Sequence, residues 1–151
     1  MFGNDGNNNV GTLETLTTTL IDSVNGYRDA AENAEGTKFQ EIFRRNADER
    51  SRVAEELRAE IRRLGGNAPD DGSVLGATHQ RFLDLKAAIT GRDDAAIINE
   101  VERGEDYLKE KFETALKADL APETRSIVER AYQSVRQGHD QIRNLKQGLS
   151  A

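Results

Sequence analysis

Three ionisable residues interrupt otherwise apolar helical stripes, and they hold most of the chemistry this sequence has to offer. Along residues 94–118 the series Ile98, Val101, Glu105, Leu108, Phe112 and Ala115 keeps steps of three and four, so Glu105 takes a position that helix geometry assigns to the core. Its carboxylate is expected to point inward. Glu49 stands between Asn46 and Val53 on a second such series, and His139 between Val135 and Ile142 on a third. An inward layer of Glu and His is how carboxylate di-iron sites are built, with one Glu from each of two helices and a Glu-x-x-His pair from each of the others. The spacing here departs from that pattern. Arg52 follows Glu49 by three residues where a His would stand, and Arg136 precedes His139 by three where a Glu would stand. The expected layer is therefore Glu49, Arg52, Glu105, Arg136 and His139, joined by Glu102 one turn before Glu105. Two guanidinium forks hold such carboxylates bidentately and repel a divalent cation, so the set reads as buried ion pairs without a cofactor. The competing reading keeps Glu49, Glu105 and His139 as a reduced site for iron or another divalent metal.

The elements that must position these residues are all helical. Leu13, Leu16, Leu20, Val24, Tyr27, Ala31 and Ala34 make one continuous stripe that ends near Gly36. Thr37 with Gln40 suggests a capping box opening a second helix, which Gly65 and Gly66 stop. After the turn-rich GGNAPDDG, a shorter helix is expected from Ser73 to about Thr90, carrying Val74, Phe82, Leu85, Ala88 and Ile89, with His79 as a packing or surface residue and with Phe82 and Leu83 exposed only if the bundle opens onto a membrane or partner helix. A long helix follows from about Asp94 to Ala118, and Pro122 suits the first turn of the last. No segment reads as a strand.

This pattern leaves an up-down bundle of five helices or four main helices with a long crossover. The heights of the polar positions favour the crossover. If the second and third long helices are parallel neighbours, Glu49 lies about 12 residues into its helix, Glu105 about 11, and His139 about 10 from the end of an antiparallel one; at 1.5 Å per residue these agree within a turn. The matching level of the first helix is near Ser23 and Val24.

Composition narrows the function. The chain has 151 residues, enough for one domain, which we place at residues 12–151 behind an Asn- and Gly-rich disordered tail over residues 1–11. There is no Cys, so thiol nucleophiles, thiolate metal sites and disulfides are excluded. The net charge of -6 argues against nucleic acid as a partner. No membrane span and no secretion signal can be read, which points to the cytoplasm. No phosphate-binding loop, zinc spacing or Ser-His-Asp order is visible, so an enzyme is not expected.

Four segments, AENAEGTKFQEIFRRNADERSRVAEELRAEIRRLGG, GSVLGATHQRF, NEVERGEDYLKEKFETAL and VRQGHDQIRNL, resemble the ferritin-like superfamily and, within it, an uncharacterised bacterial group of four-helix-bundle proteins. The resemblance spans about residues 12–149. It implies an all-α, ferritin-like four-helix bundle whose long crossover contains a short helix. GED around Glu105 is similar to the Gly-Glu pair that supplies a metal carboxylate in rubrerythrin-like proteins, with Leu108 where a second Glu would stand. Of the family's ligand positions Glu49, Glu105 and His139 match, and Arg52, Leu108 and Arg136 depart. The resemblance further implies a bacterial, stress-associated accessory protein that works through protein contacts or as a homodimer.

Overall fold

The computed structural model describes residues 2–69 and 94–150, which form four helices: α1 (Phe2–Asn33), α2 (Thr37–Arg63), α3 (Asp94–Lys117) and α4 (Pro122–Ser150). No strand occurs among the described residues. The expected crossover helix, with His79, Phe82 and Leu83, lies outside them. The first helix begins earlier than its composition indicates. It starts at Phe2, within the stretch assigned above to a tail, and by Asn9 and Val10 it is already packed against the bundle. Val10 extends the stripe one step before Leu13, and tertiary packing of that kind outweighs the weak helix propensity of Asn and Gly.

The helix ends follow from local chemistry. Gly65 takes a φ of 85°, its N–H bonds Arg62 O at 3.0 Å, and Gly66 N–H bonds Ile61 O at 2.9 Å. That 5→2 and 6→1 pair is a Schellman motif, which needs a residue free of the Cβ penalty at the left-handed position. At the end of α3, the guanidinium of Arg125 donates to Leu116 O and Ala118 O, both at 2.7 Å, and so satisfies carbonyls the helix leaves orphaned. The expected capping box at Thr37 does not form. Gly36 is the N-cap of α2, and the Gln40 side chain donates instead to Ala34 O at 2.7 Å.

Two cross-helix ties define the topology. The Asp94 carboxylate at the start of α3 accepts from the backbone N–H of Glu35 at 2.9 Å and of Gly36 at 3.0 Å, so α3 starts beside the α1–α2 turn. At the other end Thr124 Oγ1 donates to Glu60 Oε2 at 2.8 Å, so α4 starts beside the end of α2. Helices α2 and α3 therefore run parallel, and each is antiparallel to its hairpin partner. They are not neighbours, contrary to expectation. The packed pairs are α1 with α2, α3 with α4, α1 with α3 and α2 with α4, which puts α2 and α3 on a diagonal. The reason is that each short turn makes its two helices adjacent, and two such hairpins bury their stripes by stacking face to face.

The core is divided in two along the bundle. One half gathers Leu16, Leu20, Leu57, Leu108, Phe112 and Val135, and the other Tyr27, Phe43, Ile97, Ile98, Val101 and Ile142. Between them every helix contributes a polar or small residue. We expect Asp94→Ala, which removes the acceptor shared by two backbone N–H groups, to lower stability by about 1 to 2 kcal/mol in urea unfolding. A change inside about 0.5 kcal/mol would mean that water replaces the bond at no cost.

Candidate functional site

The layer that divides the core is centred on a salt bridge between α2 and α3. Arg50 Nη1 donates to Glu105 Oε1 at 2.6 Å and Nη2 to Glu105 Oε2 at 2.5 Å, and both side chains are 2% exposed. The pair spans the diagonal of the bundle. From α1, Ser23 Oγ accepts a second bond from Arg50 Nη1 at 2.8 Å, and the Tyr27 ring lies 5.5 Å from the guanidinium carbon. From α4, Gly138 supplies the space: a Cβ there would stand 2.5 Å from Arg50 Nη2 and 3.2 Å from Glu105 Oε2. A long side chain from α2 can cross the bundle axis only because α4 offers no side chain at that level.

Electrostatics hold this cluster in one charge state. Burial by itself disfavours the Arg50 cation, but the opposed Glu105 carboxylate leads the influences that hold its proton even more firmly than usual. Burial pushes the Tyr27 phenol well above its ordinary range, the Glu105 charge adds to the rise, and the Arg50 charge opposes it. The Tyr27 hydroxyl feels both charges but closes no hydrogen bond of ordinary geometry among the described residues. A cavity of about 10 Å³, the size of one water, lies beside it between α1 and α3, lined by Ser23, Gly26 and Gly104 among others.

Of the six residues expected in the layer, the structure puts two inside. Glu105 is there, with Arg50 as its partner where Arg52 or Arg136 was expected. His139 is 6% exposed, but it sits at the rim of the layer, with Nε2 2.6 Å from Asp106 and Nδ1 3.3 Å from Asp140. The other four lie outside the core. Glu49 is half-exposed, held by Arg52 at 2.7 Å and by Ser134 Oγ at 2.6 Å, and the Arg52 bond is the main reason its carboxyl stays below the usual range. Arg52 is exposed and also pairs with Glu56, while Arg136 lies on the surface over the Tyr132 ring. Glu102 bonds Lys146 at 2.7 Å and ties α3 to α4 outside the core.

The physical reason for these corrections is angular. Arg50 lies on the same line as Phe43, Ala47, Ala54, Leu57 and Ile61, in alternating steps of four and three, while Glu49 is one residue and about 100° away. Gly138 has the same relation to Val135 and Ile142, which leaves His139 one step off the inward line. Arg50 and Gly138 were missed because neither residue type announces a site.

The iron that the ferritin-like resemblance implies does not fit these donors. Both Glu105 oxygens are taken by a resident guanidinium, Glu49 is engaged at the surface, and both ring nitrogens of His139 face other carboxylates. Glu49, Glu105 and His139 are not brought into one ligand set. Among the described residues no group of three His, Cys, Asp or Glu side chains stands close enough to hold a metal ion.

A family described as a domain of unknown function, DUF2383, matches residues 8–118. That span covers Ser23, Tyr27, Arg50 and Glu105 and stops before Gly138. No curated protein matches the chain.

Glu105→Ala should destabilise the fold by about 3 to 5 kcal/mol, because Arg50 is left charged and unpaired in the core. The double change Arg50→Met with Glu105→Leu should recover most of that loss in the same urea titration. Tyr27→Phe should be nearly silent at neutral pH, since no bond is lost. Its effect belongs to alkaline solution: the unfolded phenol ionises near pH 10 while the folded one resists, so the Tyr27 contribution is fully present below about pH 10 and lost as pH rises further. Stability measured against pH should therefore fall less steeply above about pH 10 in Tyr27→Phe than in the parent.

Proposed function

Because the chain belongs to the DUF2383 family, whose function is unknown, we propose that it is a non-enzymatic bundle of ferritin-like fold in which a buried ion pair stands where a di-iron layer would lie. The observation that carries this reading is the bidentate Arg50–Glu105 pair at mid-bundle. A di-iron centre gathers several carboxylates, whose excess negative charge the two cations neutralise. Here one guanidinium and one carboxylate sum to zero, so an arriving cation would meet a positive charge already in place. Two further features support the ferritin-like fold. Helices α2 and α3 are parallel although consecutive, and the polar level lies between two apolar halves of the core.

The role that follows is one of protein contact. The exposed faces are dense in ion pairs within α2, as between Arg45 and Glu41 or Arg52 and Glu49. By its resemblance we assign the protein to the bacterial cytoplasm as a stress-associated accessory protein, acting with a protein partner or as a homodimer. No helix among the described residues is long and apolar enough to cross a membrane.

Iron loading tests the reading. After aerobic incubation with ferrous iron and removal of excess metal, elemental analysis should find at most sub-stoichiometric iron, with no ferroxidase activity. A stoichiometric di-iron centre with an oxo-bridge absorption that vanishes in His139→Ala would overturn it in favour of a metal-handling oxidoreductase. Sedimentation at several concentrations decides between homodimer and monomer.

A further inference from the structure

We propose that the groove between α2 and α4 binds an uncharged, oxygen-rich small molecule of the polyol or saccharide class on the free edge of Arg50. The groove has a volume of about 360 Å³ and is lined by Asn46, Glu49, Arg50, Ser134, Gln137, Gly138 and Gln141. That size suits a small ligand, and every lining residue except Gly138 carries a polar side chain. Its floor is a buried cation with bonding capacity to spare.

A guanidinium has five N–H donors in a planar fork. Arg50 uses two on Nη1, for Ser23 and Glu105, and one on Nη2, for Glu105. Nε–H and the second Nη2–H have no partner among the described residues. Those two donors lie parallel in the guanidinium plane, along one edge, and form its second, side-on fork, the kind that grips two oxygens at once. Gly138 packs so closely against Nη2 that a Cβ there would stand 2.5 Å away, and the groove opens beside this contact. In the same wall Asn46 acts on the Tyr27 hydroxyl, so the unmet donors at the groove are those of Arg50. Unmet donors of this kind are costly in a poorly solvated place, and an acceptor that satisfies them is favoured by that cost.

The local charge selects the class of acceptor. Arg50 is already neutralised by Glu105, and the second carboxylate facing the groove, Glu49, is neutralised by Arg52. An anion entering here would meet two carboxylates whose two cations are already engaged with them. A hydroxyl or ether oxygen accepts the same two N–H bonds without that repulsion. Gln137 and Gln141, each with a donor and an acceptor, suit the mixed hydrogen bonding of a polyol.

The test uses the full chain labelled with nitrogen-15 and follows the Arg50 Nε–H resonance, assigned by its disappearance in Arg50→Lys. Maltose and glycerol are the probes, with acetate as the anionic control. We expect a saturable shift with maltose, weakened about three- to tenfold per lost hydrogen bond in the rim variant Gln137→Ala with Gln141→Ala, which leaves the core untouched. The proposal fails if maltose and glycerol give no saturable response up to about 0.1 M, an affinity too weak to count as a site. It fails equally if the rim variant binds as the parent does, or if acetate saturates the resonance and the saccharide does not.

Discussion

A charged side chain in the middle of a helical bundle constrains everything packed around it, and Arg50 is such a side chain. Taking a guanidinium and a carboxylate out of water costs several kcal/mol for each ion, and only good geometry with further hydrogen bonds offsets the cost. Arg50 has that geometry: two bonds to Glu105, one to Ser23, and the face of Tyr27 beneath it. Each partner comes from a different place in the chain, so the pair is satisfied only when α1, α2 and α3 are all in register. Sliding α3 by one turn against α2 would set Leu108 or Val101 against the guanidinium. That loss is far larger than anything an apolar contact returns.

The same constraint explains why the core is split. Apolar stripes alone specify a helix bundle poorly, because one layer of Leu and Ala packs much like the next. Placing one polar layer between two apolar halves removes that degeneracy. The end contacts act with it: Asp94 pins the start of α3 to the α1–α2 turn, and Glu60 pins the start of α4 to the end of α2. Three polar ties at three heights select one topology from the several that four amphipathic helices allow. The pair need not raise stability over a well-packed apolar alternative to serve this purpose.

How much of this could be read in the sequence depends on the side chain concerned. The four long helices, the stop at Gly65 and Gly66, the start at Pro122 and the inward position of Glu105 were all legible, because each rests on period or on turn chemistry. The level of the layer was legible too, since Ser23, Glu105 and the neighbourhood of His139 sit where equal rise per residue puts them. Its membership was not. Glu49 and His139 drew attention by their chemistry, yet strict alternation of three and four steps runs through Phe43, Ala47, Arg50, Ala54 and Leu57 in α2 and through Ala131, Val135, Gly138 and Ile142 in α4. A neighbouring residue turned by about 100° moves off the central line, to the rim of the layer for His139 and to the half-exposed surface for Glu49. The diagonal placement of α2 and α3 was beyond the sequence, because periodicity fixes which face of a helix is buried and says nothing of which other helix covers it.

A resident guanidinium also changes what the bundle needs from its surroundings. A layer built of carboxylates alone repels itself until cations arrive, so its helices are held fully together only in the loaded state. Arg50 brings its positive charge on the chain, and Glu105 keeps it from losing its proton. The layer is therefore complete at every metal concentration. The cost is chemical, since a guanidinium neither changes oxidation state nor opens a coordination position. What remains available is the edge of Arg50 that Glu105 does not use, beside the groove between α2 and α4. A layer neutralised by its own guanidinium thus keeps, on the edge away from Glu105, donors suited to an oxygen.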